Sequence, residues 1–427
     1  MKLKHLIVFF CTIVFILSSC RKDDIPLKQK KDDEIVEENY QVAKLYITTE
    51  NQTEITSKER YLNCIVQFES DNENWNYTAD ARIRGRGNST WLWYPKKPYR
   101  IKLNTKAPIL GLPADKDWVL LSNYRDPTHL MNTFVFTVGK NLRIPFPNHS
   151  RYVEVTLNDE YIGLYQLTEQ IEQGTNRVAI LEDEGILLSL DADDGPYLAP
   201  DETDNFWSEK YHMPVCIKNP KIITEDKLLE IKNEFALFEN AINNAVYSEV
   251  ESLLDIASFI DFMIIQELVY NVEVDAPRSI YIHKNKNGKW TMGPLWDFDA
   301  GFDFDWGTMY TGHNYFNSYQ ELVLGTSPVS HTGGYHVPSF FTDLFKNQQF
   351  VNKYKQRWLE IKDKIISEYW ASTLLYADEF KIAMERENER WPIDKDNITE
   401  INRMENWIEK RVNYLSDVIN NYPAGIK

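Results

Sequence analysis

The stretch Glu267–Asp305, ELVYNVEVDAPRSIYIHKNKNGKWTMGPLWDFDAGFDFD, organises the reading of this chain. Ser279 to His283 is a short strand-like run, and Trp290 to Trp296 is a second. Between them stands Asn287-Gly288, a strong short-range signal for a tight hairpin turn. Antiparallel pairing about that turn makes opposed residue numbers sum to about 575. Asp299 then falls near Asp275 or Ala276, and Asp297 near Arg278. The fold thereby brings Glu273 and Asp275 up to Asp297 and Asp299. In an extended segment Asp297 and Asp299 share one face, and Trp296 and Phe298 share the other. Converging carboxylates repel one another unless a cation neutralises them, and hard oxygen ligands suit Mg²⁺ or Mn²⁺. The plainer reading is a set of surface acids on a hairpin, in a chain with 64 Asp and Glu.

A second informative stretch lies upstream, ARIRGRGNSTWLWYPKKPYRIKLN, from Ala81 to Asn104. Gly85, Gly87, Asn88 and Ser89 can form a turn whose backbone N–H groups face an anion. The strand after it, Tyr99 to Leu103, places Arg100 and Lys102 on one face and Ile101 and Leu103 on the other. A glycine turn feeding two cations on one face is suited to polyphosphate. The alternative is a basic strand edge that discourages aggregation. Cations in one half and carboxylates in the other are the two requirements of phosphoryl transfer, which depends on positioning and charge stabilisation.

The rest of the chain frames these stretches. MKLKHLIVFFCTIVFILSSC opens with Lys2 and Lys4, continues in an apolar run from Leu6 to Leu17, and ends at Cys20. That run is too short to span a bilayer comfortably. The Leu17–Cys20 ending resembles a bacterial lipobox. The resemblance implies cleavage of residues 1–19 and a lipid anchor on Cys20 at the cell envelope. Residues 20–40 are charged and nearly free of aromatics, as expected of a tether. About 385 residues remain, more than one core normally serves. Strand signals dominate residues 41–168: Lys44 to Thr48, Tyr61 to Phe68, Ala79 to Arg84, Tyr99 to Leu103, Tyr152 to Leu157 and Tyr161 to Thr168. One helix is expected from Pro127 to Leu142, with Asp126 as its N-cap. Residues 169–427 read as helix-rich: Leu228 to Ala245, Ile256 to Val269 capped by Asp255, Phe340 to Glu368, Trp370 to Asn388 and Thr399 to Asn420. The fold class is therefore α+β, a β-rich lobe followed by a helical one. The segment Asp303 to Pro338 shows little periodicity, as in a long loop that is functional or mobile.

Composition narrows the function. A net charge of −17 argues against nucleic acid, because phosphate backbones need a basic surface. There is no CxxC and no HExxH, so a zinc site is not expected. Cys64 and Cys216 each lie in a strand-like run and are read as buried free thiols.

At these residues the sequence resembles the spore-coat-protein-H (CotH) kinase-like family. The matching stretches are RGRGNSTW, KKPYRIKLN, LGLPADKDWVLLSNYRD, VEVTLNDEYIGLYQLTEQIE, FIDFMIIQELVYNVE and GPLWDFDAGF. SFFTDLFKNQQFVNKYKQRWLEI and ENERWPI follow near the C-terminus. The resemblance implies a two-lobed, atypical protein-kinase-like fold that binds ATP between its lobes. It implies transfer of the terminal phosphoryl group to Ser or Thr hydroxyls of a protein. Gly85 to Ser89 would cover the phosphates and Lys102 would pair with them. Glu169 would lie at the inter-lobe connection, paired with Lys102 or structural. Asp297 would be the main metal ligand, supported by Asp299. The family often places Asp two residues after the Asn matched by Asn271. Glu273 stands there instead and Asp275 follows, so either carboxylate could be the base. A catalytically inert binding or assembly protein on the same scaffold is the second reading. Carbohydrate processing by paired acids is the third, and it leaves the basic turn unexplained.

Overall fold

A computed structural model describes residues 42–196, 204–274, 277–303, 319–324, 337–393 and 395–422. Asp275, Cys20, the leader, the tether and most of the loop expected between Asp303 and Pro338 lie outside the described residues. The strands β1 (Ala43–Thr49), β2 (Leu62–Glu69), β3 (Tyr77–Gly85), β4 (Tyr99–Ile109), β5 (Leu112–Leu121), β6 (Ser150–Leu157) and β7 (Glu160–Glu169) close into a barrel. Its order is β1-β2-β3-β4-β5-β7-β6, and the parallel pair β1·β6 closes it. Alternation explains the closure. Ile101 and Leu103 of β4, Trp118 and Leu120 of β5 and Val153 and Val155 of β6 fill the interior, and their neighbours in sequence turn outward.

Two short elements interrupt the barrel. The helical turn α1 (Ser89–Trp93) follows the glycine turn, and α2 (Met131–Leu142) separates β5 from β6. The expected start of α2 at Pro127 is corrected to Met131. Asp126 accepts the amides of Thr128 (2.9 Å) and Met131 (2.9 Å) and the Thr128 hydroxyl (2.5 Å). His129 takes a left-handed φ of 58°, so residues 127–130 form turns that a helix could not contain.

Beyond the barrel, β8 (Ile186–Leu190), β9 (Asn205–Trp207), β10 (Pro214–Asn219), β11 (Ile280–Lys284) and β12 (Thr291–Met292) form a second sheet, β12-β11-β8-β10-β9. The expectation for this half included the β11–β12 hairpin but not the other three strands of that sheet, although the run around Cys216 carried a strand signal. The hairpin register pairs Ile282 with Met292 and His283 with Thr291, in accord with the expected sum. The second strand is only two residues long rather than running from Trp290 to Trp296.

The helices are α3 (Glu225–Asn244), α4 (Tyr247–Leu253), α5 (Ile256–Val269), α6 (Val337–Thr342), α7 (Gln348–Ile361), α8 (Ala371–Arg390) and α9 (Asn397–Asn420). The expected helix from Phe340 to Glu368 is broken, because the Asn347 side chain accepts the amides of Gln349 (2.8 Å) and Phe350 (3.3 Å) and starts α7 afresh. Helix α5 is apolar almost all round and is buried on every side. Two ion pairs fix it: Asp261 with Arg357 of α7 (2.6 Å) and Glu267 with the fully buried Arg411 of α9 (3.0 Å).

Barrel and helices pack as one compact unit that begins at Tyr40. A small core of Val119, Ile171, Val178, Ile180, Leu187 and Trp296 joins the outer face of β5 to the second sheet. On the other side, the end of α8 binds the β6–β7 hairpin. Glu387 meets the buried Lys96 (2.6 Å) and the Leu164 amide (2.7 Å), and Arg386 holds Glu154 (2.5 Å). Both described cysteines are buried and free, as expected.

Candidate active site

The acidic residues are brought together by the end of α5. Tyr270 turns left-handed (φ 50°) and caps the helix, and the Asn271 amide bonds back to the Gln266 carbonyl (3.1 Å). Asn271 then accepts the Glu273 amide through its side chain (3.3 Å). Val272 and Val274 are buried on either side of Glu273, which leaves that carboxylate at the surface of the core. The Phe302 amide donates to the Val269 carbonyl (2.8 Å), which lays the segment from Asp297 to Phe302 against the same helix end. The Asn132 side chain of α2 accepts the Phe298 amide (2.9 Å) and pins the point between Asp297 and Asp299.

The local backbone differs from the expected strand. Asp297 has φ 63°, in the left-handed region, which a short polar side chain tolerates best. Strict alternation therefore fails, and Trp296 enters the small inter-sheet core while Phe298 enters the large helical core. Asp297 and Asp299 still converge, each acting on the other's proton affinity.

Burial pushes the Glu273 carboxyl well above the usual carboxylate range, and Asp297 and Asp299 push it further. Burial and then Asp299 raise Asp297 to about 7. Asp299 is raised by burial, opposed by Arg125 and by its contact with Asp297. Arg125 acts on all three carboxyls, and Arg86 acts on Asp297. Arg278 also acts on Glu273, ahead of Arg125. Arg86 and Arg125 are counter-charges of the site that do not belong to the set expected from the sequence. Arg125 follows β5, is buried, and lies 5.6 Å from the Tyr94 ring centre. Arg86 sits inside the glycine turn with its guanidinium 5.3 Å from the Trp296 ring centre. The RGRGN and SNYRD stretches carried both arginines. Without a structure, nothing separated them from the other cations nearby.

The turn itself is shaped by Trp91. A Cβ on Gly85 would lie 2.3 Å from the Trp91 ring, and Gly87 has φ +81°. The Gly85 and Arg86 amides are already bonded, to Ser57 (2.9 Å) and Pro98 (3.2 Å). Among the described residues the amides of Gly87, Asn88 and Ser89 have no backbone acceptor, so the anion-facing part of the turn is shorter than expected. The Asn88 side chain accepts Lys58 Nζ (3.1 Å).

Arg100 and Lys102 do share the outer face of β4. Both pair with Asp117 of β5, at 2.8 and 2.9 Å. Glu169 closes β7 at the connection to the second sheet and meets His149 (3.0 Å) and Arg177 (3.6 Å) rather than Lys102. The register explains this. Lys102 lies opposite Asp117, and Glu169 lies opposite Trp118, so the two side chains leave opposite faces of the sheet. Glu169 instead lines a cavity of about 240 Å³ with Phe146, His149, Arg177 and Pro294, apart from the acidic cluster.

No three His, Cys, Asp or Glu side chains among the described residues form a metal cage. An Asp pair does not need one for Mg²⁺, which usually takes one or two carboxylates and completes its shell with water and phosphate oxygens. Three acids whose charged forms are disfavoured by burial and mutual repulsion are a donor set that fits such an ion.

An α+β protein with a cation-bearing barrel and a buried acidic turn at the end of a central helix is the class defined so far. The sequence matches the model of the CotH kinase protein family over residues 83–415, most of its length, and the chain belongs to that family. No individually curated protein matches the chain.

Proposed function

We propose that this protein is a phosphotransferase that moves the terminal phosphoryl group of ATP to Ser or Thr hydroxyls of a protein. It would do so on a two-lobed kinase-like fold. Family membership supports kinase-like chemistry in general. One observation carries the finer reading: the glycine turn delivers Arg86 to the electrostatic field of Asp297. On this reading the phosphate-facing and metal-facing elements, more than 200 residues apart in sequence, would meet at one place.

Asp297 and Asp299 would hold Mg²⁺ or Mn²⁺. When bound, the metal and ATP supply charge neutralisation and an electrophilic terminal phosphorus. Arg86 and Arg125 hold negative charge in place beside these acids. Glu273 takes the proton as the hydroxyl oxygen forms its bond to phosphorus and ADP leaves. Burial and the two aspartates raise its proton affinity, and a cation held by Asp297 and Asp299 would offset their charge and return Glu273 to the carboxylate form that a base needs. Asp275 is the alternative base, Asn271 positions the turn that presents either one, and Gly87 to Ser89 cover the phosphates.

The second reading is an inert binding or assembly protein on the same scaffold. The Asp117 contacts favour it, because a phosphate reaching Arg100 or Lys102 must compete with a carboxylate already paired to both.

Intact-mass analysis after incubation with ATP and Mg²⁺ or Mn²⁺ tests the choice, with Asp297→Asn alongside. Increments of one phosphate in the wild type alone are expected. Unmodified wild type that ATP and metal still stabilise would favour a nucleotide-binding scaffold; neither effect would favour the inert protein. We further propose export and anchoring through a lipidated Cys20. A Cys20→Ser chain should leave the membrane fraction, and its retention there would overturn the anchor.

A further inference from the structure

The outer face of the barrel carries more positive charge than its own structure uses. In register, Arg82 of β3 lies opposite Lys102 of β4, and Arg84 lies opposite Arg100. Like charges directly opposed across strands are destabilising. Two such pairs stand side by side here, in a chain whose acids outnumber its bases by 64 to 47. Asp117 and, at 3.8 Å, Glu172 answer Arg100 and Lys102. Arg82 and Arg84 have neither an ion pair nor a hydrogen bond among the described residues. Both guanidiniums instead lie over Tyr61, 5.4 and 5.1 Å from its ring centre. Arg84 Nε is buried without a partner, while Arg82 is exposed. This face therefore keeps two ordered cations, braced by an aromatic ring, with no anion among the described residues paired to them.

We propose that Arg82, Arg84 and Tyr61 form a docking face for an acidic stretch of the polypeptide that the site acts on. The proposal rests on the phosphotransferase reading for what happens to the bound chain, but not for the binding itself. Charge complementarity selects the occupant, and position selects a polypeptide over the nucleotide. Arg82, Arg84 and Arg86 follow one another at alternate positions, and Arg86 is the member beside Asp297. Four positions separate Arg82 from Arg86, at most about 13 Å at roughly 3.3 Å per residue, because β3 ends at Gly85 and Arg86 opens the turn. An extended polypeptide covers that length in about four residues. The acceptor hydroxyl then sits at the carboxylates while Asp, Glu or already phosphorylated side chains about four residues away reach Arg84 and Arg82.

The test uses the full chain and fluorescently labelled polyglutamate, with anisotropy as readout and no ATP. We expect saturable binding that weakens as salt rises. R82A/R84A should weaken it by about three- to tenfold, the scale of two solvent-exposed charge contacts. R82K/R84K should retain most of it, which separates lost charge from lost fold. The stabilisation of the chain by ATP and Mg²⁺ should be the same in both variants as in the wild type. Equal polyglutamate binding by wild type and R82A/R84A, or none by the wild type, would overturn the proposal. So would loss of ATP stabilisation in R82A/R84A with polyglutamate binding intact, since that assigns the face to the nucleotide. A chain that binds polyglutamate through these arginines but never transfers phosphate would retire the kinase reading and leave the docking face in place.

Discussion

Glu387→Gln is the substitution that most directly tests how the barrel is held in place. Glu387 takes Lys96 Nζ at 2.6 Å on one oxygen and the Leu164 amide at 2.7 Å on the other. Lys96 is fully buried, and its remaining polar contact is the Leu164 carbonyl, at 2.6 Å. Glutamine preserves the shape and one acceptor but leaves an ammonium without its counter-ion. Breaking a buried pair from one side costs about 3–5 kcal/mol, and the retained acceptor places this case near 3. The pH dependence gives a second, sharper check. Burial already lowers the Lys96 pKa, and Glu387 opposes that fall. In the variant the opposition is gone and the folded-state pKa drops further. The unfolded chain then binds more protons than the folded one, so stability must rise with pH. The rise approaches about 1.4 kcal/mol per pH unit between the lowered folded pKa and the unfolded value near 10.4. Urea unfolding followed by Trp fluorescence from pH 7 to 9.5 measures both quantities. A loss under about 1 kcal/mol, or a stability that falls across that window relative to wild type, would refute the account of this pair.

Four further outcomes are expected. Arg125→Met removes the cation common to the three carboxyls, so their proton affinities rise; the pH midpoint of Mn²⁺ binding followed by EPR should move upward, and an unchanged midpoint would remove Arg125 from the site. Gly301→Ala puts a Cβ 2.7 Å from the Val269 carbonyl, which has no room to yield; the melting temperature should fall by several degrees, and a shift under one degree would show that the turn relaxes freely. Burial pushes both the Cys64 and the Cys216 thiol up to about 12, so neither should react with Ellman's reagent at pH 8 until the chain is unfolded; prompt labelling of the native protein would contradict that burial. Arg386→Ala frees the buried Glu154 carboxylate on the barrel; hydrogen exchange should quicken in β6 and β7 and stay unchanged in α5, whereas a uniform increase would mean that the contact is not local.

The parts of this fold that sequence conveys are those set by local chemistry. Asp255 caps α5 through the Ser258 amide (3.3 Å), and the Asn287-Gly288 turn gives the expected hairpin register. Strand β5 escaped notice because Asp115, Lys116 and Asp117 open it with the charges of a loop. Those charges become intelligible only across strands. Asp115 meets Lys106 (3.4 Å), and Asp117 meets Arg100 and Lys102, so the polar residues of β5 are partners for β4 rather than a surface turn. The far edge of the second sheet was hidden for a related reason. β9 is three residues long, too short for any periodicity, and exists because β10 offers it an edge, whereas β12 was expected and keeps only two residues of its run.

The candidate site divides along the same line. Glu273, Asp297 and Asp299 could be grouped because one hairpin connects them. Arg86 and Arg125 could not, because each reaches the acids through tertiary packing. Arg86 arrives because Trp91 closes on Gly85 and Trp296 offers a ring to the guanidinium. Arg125 arrives because Asp126, its neighbour, is tied to the start of α2, whose Asn132 in turn holds Phe298 between the two aspartates. A conservative change at Asn132 should therefore disturb the acids more than its distance in sequence suggests. Asn132→Ala leaves the Phe298 amide without its acceptor, at a cost of about 1–3 kcal/mol if that amide stays buried. The readout that separates positioning from mere destabilisation is the pH midpoint of Mn²⁺ binding. It should move in Asn132→Ala at a temperature where the variant remains fully folded, because Asp297 and Asp299 no longer keep their spacing. A midpoint equal to wild type under those conditions would mean that the Asn132 contact supports the fold alone, and that the spacing of the two aspartates is set by the helix end at Val269 and Phe302.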